Sequence, residues 1–180
     1  MADAFFEVKE LELSGVLLIA PKFRHDERGF SVNVYNADIF STYGIPASFV
    51  EDFTSRSKKG VLRGLHFQRA PHMQDKLVRC TQGEIFDVAA DCDHASPTYG
   101  KYLSARLTGD EQTTLYIPGK YAHGFCVVSD EAIVEYKLGD TYHPESVGGA
   151  RFDDKLLAIE WPVSDPIISE QDGSWAPLVT

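Results

Sequence analysis

Cysteines and basic residues are scarce in this sequence and long apolar runs are absent, and each shortage removes a class of protein. Only Cys80, Cys92 and Cys126 occur, so one thiol stays unpaired whatever the connectivity, and their separations fit no zinc-binding pattern. A reduced, cytoplasmic setting is therefore expected. Seventeen Lys and Arg stand against 27 Asp and Glu, giving a net charge of -10 that repels a polyphosphate backbone from most of the surface. A general nucleic-acid binder is excluded, although a few arginines turned into one cleft still hold a small anion. No apolar stretch approaches the roughly 18 residues of a membrane span. Residues 1–10 end in acids and a lysine where a signal peptide needs an apolar run, so a soluble chain with no membrane partner is expected.

What is present suits one core. At 180 residues and 43% hydrophobic content, residues 1–180 are read as a single domain able to fold without disulfides or a structural metal. No segment repeats at a fixed period. Short β-rich runs bounded by turn residues fall at 15–20, 30–35, 76–81, 84–91, 103–107, 113–117, 124–129 and 132–137. Short helices are expected at 36–43, stopped by Gly44, and near 153–157. With almost no helices between strands, a parallel α/β sheet is excluded, and an all-β, antiparallel double-sheet jelly roll with a few short helices is the expected fold.

Two segments bring chemistry-bearing residues to strands. Gly60-Val61-Leu62-Arg63-Gly64-Leu65-His66-Phe67-Gln68 separates Arg63 from His66 by three positions, which face opposite sides of a regular strand unless the glycine kinks or bulges it. Pro118-Gly119-Lys120-Tyr121-Ala122-His123-Gly124-Phe125 delivers a second histidine. Together they resemble the two half-motifs of cupin jelly rolls, the double-stranded β-helix whose metal-binding members carry an H-x-H pair in the first half. Here that pair reads His66-Phe67-Gln68, which leaves His66 and His123 without further ligands at a matching spacing. No metal is expected. His25, His72, His94 and His143 lie among polar or turn residues and read as solvated surface histidines.

A longer series of blocks follows in one order: Asp26-Glu27-Arg28-Gly29-Phe30, the Gly60 to Gln68 segment, Lys76-Leu77-Val78-Arg79, Gly83-Glu84-Ile85-Phe86-Asp87-Val88, Ser96-Pro97-Thr98-Tyr99-Gly100, Ile117-Pro118-Gly119, Ala122-His123-Gly124-Phe125, Glu135-Tyr136-Lys137 and Ile159-Glu160-Trp161-Pro162. In this the sequence resembles the dTDP-4-dehydrorhamnose 3,5-epimerase family. The resemblance implies a metal-free, cofactor-free isomerase acting on a nucleotide-linked 4-keto-6-deoxyhexose in deoxysugar biosynthesis, and a homodimer with strands exchanged or packed across its interface. It also implies roles: His66 as base, Asp172 as its carboxylate partner, Tyr136 as acid and Lys76 beside the enolate oxygen. Arg28 and Arg63 would hold the pyrophosphate, His123 would line the sugar pocket, and Tyr142 would stack on the base. Phe30, Glu51 and Phe53 would bind substrate. Singly, Tyr136 reads as a strand tyrosine, Lys76 as a surface lysine and Asp172 as a loop carboxylate.

The chemistry is consistent with those types. A C–H beside a ketone is weakly acidic, so C3 and C5 of a 4-keto sugar both lose a proton to give an enolate. Inversion then needs a base on one face, an acid on the other and a positive or hydrogen-bonding group at the oxygen. Two departures from the family pattern belong to the nucleotide end, where Asn33 replaces a usual glutamate and Glu51-Asp52-Phe53 a usual Gln-Asp-Asn, and near the tail Gln171 replaces a usual lysine. A metal-dependent cupin, a keto-isomerase and an inactive sugar-binding jelly roll are the alternatives.

Overall fold

A computed structural model describes residues 5–46 and 48–179. In chain order the strands are β1 (Phe6–Glu10), β2 (Leu17–Pro21), β3 (Arg24–Asp26), β4 (Gly29–Ser31), β5 (Glu51–Lys58), β6 (Leu62–Gln68), β7 (Lys76–Gln82), β8 (Glu84–Ala90), β9 (Tyr102–Thr108), β10 (Thr114–Ile117), β11 (Ala122–Val127), β12 (Glu131–Leu138) and β13 (Val147–Gly149). The helices are α1 (Ala37–Ser41) and α2 (Glu170–Ser174). Two sheets face each other, with strand orders β1-β2-β10-β7-β12-β5 and β13-β6-β11-β8-β9, and β3 and β4 form a separate hairpin. Neighbouring strands within the sheets pair antiparallel. The jelly roll expected from strand spacing is the fold.

Alternation sorts the side chains. On β7, Val78 and Cys80 face inward with Val134 and Ala132 of β12, meeting Ile85, Ala89 and Phe125 of the other sheet in the central core. Leu77 and Tyr116, one position out of phase, point outward and are covered by Phe6, Phe40 and Ile45. Val88, Ala90 and Ala122 leave the opposite sheet on its outer side, under Leu157 and Trp161. The inward rows on β7 and β12 continue past the apolar core to Lys76 and Tyr136. One end of the sandwich interior is therefore core and the other a polar cleft.

Three expectations need correction. The 153–157 stretch is a series of turns, because the buried Asp154 carboxylate accepts from the N–H groups of Leu156, Leu157 and Leu178 and draws the backbone away from a helical ladder. The expected strand at 30–35 shortens to β4, and its remainder is irregular. His72 and His143 are half-buried, with rings stacked 3.5 Å apart, instead of freely solvated. The first helix forms as expected: the Asn36 side chain caps the Ile39 N–H at 3.0 Å, and Gly44 takes φ +79 past its end.

Candidate active site

A cleft of about 720 Å³ opens between the sheets. His66 and Arg63 both line it although three residues apart on β6. Gly64 explains this: it adopts φ +128, and the β6–β11 register slips beside it between His123 and Phe125. A Cβ at Gly64 would lie 2.5 Å from Gly124 Cα, so only glycine lets the strands approach here.

From this sheet His66 places Nε2 2.5 Å from Asp172 Oδ1. Burial by itself would raise Asp172, yet the hydrogen bond from His66, its charge and the N–H of Gly64 hold the carboxyl below its ordinary value. An ionised Asp172 accepts the hydrogen bond that Nε2–H donates, which leaves Nδ1 as the ring's proton acceptor. The carboxylate arrives on α2, whose N-cap Ser169 accepts from the Asp172 N–H at 3.1 Å.

Across the cleft stand Lys76 and Tyr136. Lys76 is buried, donates to the Gln74 carbonyl at 3.0 Å, and has its pKa lowered by burial to about 8 against a weaker opposing pull from Asp75. Burial and then the Asp87 carboxylate push the Tyr136 phenol well above its ordinary value, so it keeps its proton throughout the physiological range. Tyr136 packs edge-on against His123 at 5.8 Å and tilted against Phe53 at 5.7 Å.

A second imidazole–carboxylate pair escaped the sequence reading. His123 Nε2 is 2.7 Å from Asp87 Oδ1, both groups are buried, and burial raises the Asp87 carboxyl against the lowering effect of His123. In the sequence Asp87 stands within the Gly83 to Val88 block, with nothing local to mark it as a partner of His123. Its signal was an acid at an inward position between the apolar residues Ile85-Phe86 and Val88-Ala89-Ala90 of β8.

The remaining residues divide by place. Glu51, Phe53, Arg63 and Tyr142 line the cleft, with Tyr142 exposed at its rim and Arg63 Nε donating to Ser57 Oγ at 3.0 Å. Gln171 lines it also, whereas Asn33 does not. Arg28 and Phe30 are not brought to the cleft within one chain. Arg28 pairs with Asp26 at 2.5 Å on the β3–β4 hairpin, and Phe30 lies exposed against Phe23.

Among the described residues, the histidines near the cleft are engaged by carboxylates and those outside it are stacked on each other. Asp172 and Asp87 occupy the Nε2 atoms of His66 and His123, while Gln68 turns its carboxamide to the backbone at His72, Thr141 and His143. His72, His143 and Glu145 cluster outside the cleft, but the two rings are within 14° of parallel, so their lone pairs run side by side instead of meeting at one point.

Comparisons with known proteins agree on one family. Residues 10–179 match the family described as dTDP-4-dehydrorhamnose 3,5-epimerase. A dTDP-4-dehydrorhamnose 3,5-epimerase of Methanothermobacter thermautotrophicus is 46% identical over 178 residues, covering 97% of this chain and 96% of the relative. That of Escherichia coli is 47% identical over 163 residues, covering 89% and 88%. The crystal structure of the Bacillus anthracis enzyme with TDP and PPi bound superposes with a TM-score of 0.92 at 38% identity, covering 96% of this chain and 99% of that one.

Proposed function

The chain belongs to the dTDP-4-dehydrorhamnose 3,5-epimerase family, and on that premise we propose that it inverts C3 and C5 of a thymidine-diphosphate-linked 4-keto-6-deoxyhexose through enolates. One observation carries the reading. An imidazole backed by an ionised carboxylate stands on one sheet, facing a protonated phenol and a buried ammonium on the other.

In this reading His66 Nδ1 takes the proton from the carbon beside the ketone, and Asp172 balances the imidazolium. The Lys76 ammonium stabilises the charge that moves to the carbonyl oxygen. A buried cation acts there with little solvent screening. The Tyr136 O–H returns a proton to the opposite face, which inverts the centre. The His123–Asp87 pair fixes the wall against which the Tyr136 ring rests.

Tyr142 and Phe53 supply aromatic surface for the thymine, and Arg63 supplies paired donors for the pyrophosphate. Arg28 and Phe30 reach a cleft from a second copy of the chain. Two features support such a homodimer: the β3–β4 hairpin exposes Phe30 without a core of its own, and β5 ends its sheet as a long edge strand. Incubation with dTDP-4-keto-6-deoxyglucose, followed by NMR of the ring proton couplings, tests the activity. Inversion at both centres is expected, and a product with the carbonyl moved along the ring would show a keto-isomerase instead.

A further inference from the structure

Trp175 stands beside His66 with ring centroids 6.3 Å apart and planes at 68°, an edge contact. It is absent from the residues lining the cleft, so it meets the imidazole from behind. The helix α2 that carries Asp172 ends on Trp175, so one turn of chain delivers both the carboxylate and the indole. Across the ladder from His66 lies Gly149 of β13. A Cβ there would fall 2.2 Å from Trp175 Cε2 and 2.5 Å from Nε1, so the indole occupies the place that any side chain at 149 would need. The indole N–H is buried and has no partner among the described residues. An aliphatic side chain would fill that space without burying a donor, so stability alone does not account for a tryptophan.

The His66 side chain is 41% exposed, which leaves its ring room to swing on the cleft side. Asp172 holds one nitrogen only, and a single hydrogen bond permits rotation about its own axis. We propose that Trp175 is a positioning residue for the base, closing the rear of the imidazole so that the ring keeps Nε2 on Asp172 and Nδ1 toward the substrate. This rests on His66 being the base.

Steady-state kinetics of Trp175→Ala, Trp175→Phe and Gly149→Ala test it, with thymidine diphosphate titration as the check on folding. For Trp175→Ala, kcat is expected to fall roughly tenfold or more while KM stays within about twofold, because a misaligned base loses chemistry and keeps binding. Trp175→Phe should recover most of the rate. Gly149→Ala, which displaces the indole, should repeat the loss. Wild-type kcat in Trp175→Ala overturns the proposal. So does a raised KM with kcat intact, which would make Trp175 a substrate wall. Should Trp175→Ala fail to bind thymidine diphosphate, Trp175→Leu is compared with Trp175→Phe: a slower leucine variant supports the proposal and equal rates overturn it. If His66→Ala itself stays active, the reading of the base fails, and that outcome is distinct from a failure at Trp175 alone.

Discussion

Burial brings Lys76 closer to neutral pH than a lysine ordinarily titrates. With its pKa lowered to about 8 by burial, the stabilising ammonium is present in the free enzyme below that pH and lost above it. The pH profile of kcat/KM should therefore descend through about pH 8, and Lys76→Met should remove that limb along with most of the activity. A profile flat to pH 10 would detach Lys76 from the chemistry. At the other wall, Asp172→Asn keeps an oxygen for the Gly64 N–H and so turns its NH2 toward Nε2, which moves the ring proton onto Nδ1. The expected loss in kcat is roughly a hundredfold or more, measured at saturating substrate. Wild-type turnover in Asp172→Asn would show that the carboxylate does not set the tautomer. The roles of these residues were legible only jointly. Nothing local in Glu135-Tyr136-Lys137 marks Tyr136 as facing inward, and Lys76 is buried only because the inward row of β7 runs beyond the core. Asp87 was missed because its partner His123 lies on the neighbouring strand, a pairing that sequence distance hides.

At the scale of elements, legibility followed alternation. Strands β7 and β12 carry Val78, Cys80, Ala132 and Val134 on their inward faces, and β2 and β8 are apolar over most of their length, so these runs could be read from the sequence. β5 could not, since its buried inward positions are Ser55 and Ser57. The helix α2 was missed for want of an apolar stripe in Glu-Gln-Asp-Gly-Ser, although its Ser169 cap is a recognisable start. The loop carrying Tyr142 has its own tether. The buried Gln68 donates to the carbonyls of His72 at 2.9 Å and Thr141 at 3.1 Å, and accepts from the His143 N–H at 2.7 Å. Gln68→Leu leaves these backbone groups without a partner, at about 1–3 kcal/mol for each one that stays buried. Calorimetric titration is expected to show weaker thymidine diphosphate binding, with kcat at saturating substrate little changed. Unaltered affinity would mean that the loop holds Tyr142 without Gln68.

For the whole molecule, the open question is whether one chain makes one site. Arg28 and Phe30, singled out from their motif, lie on an exposed hairpin away from their own cleft. The resemblance implies strands exchanged or packed across a dimer interface, but no pattern within one sequence says which chain completes which pocket. Complementation decides it. Arg28→Ala should weaken substrate binding and His66→Ala should be inactive, yet a mixed dimer of the two pairs an intact base with an intact arginine and should regain activity. Failure of dissociated and reassociated mixtures to regain it would place Arg28 outside the partner's site. The central claim, that base and acid act from facing sheets on opposite faces of the sugar, is tested most directly by Tyr136→Phe in deuterated water. Deuterium is expected to replace the substrate's ring proton while the configuration is retained, because His66 still forms the enolate and nothing protonates the far face. Normal inversion by Tyr136→Phe, or no exchange at all, would contradict it.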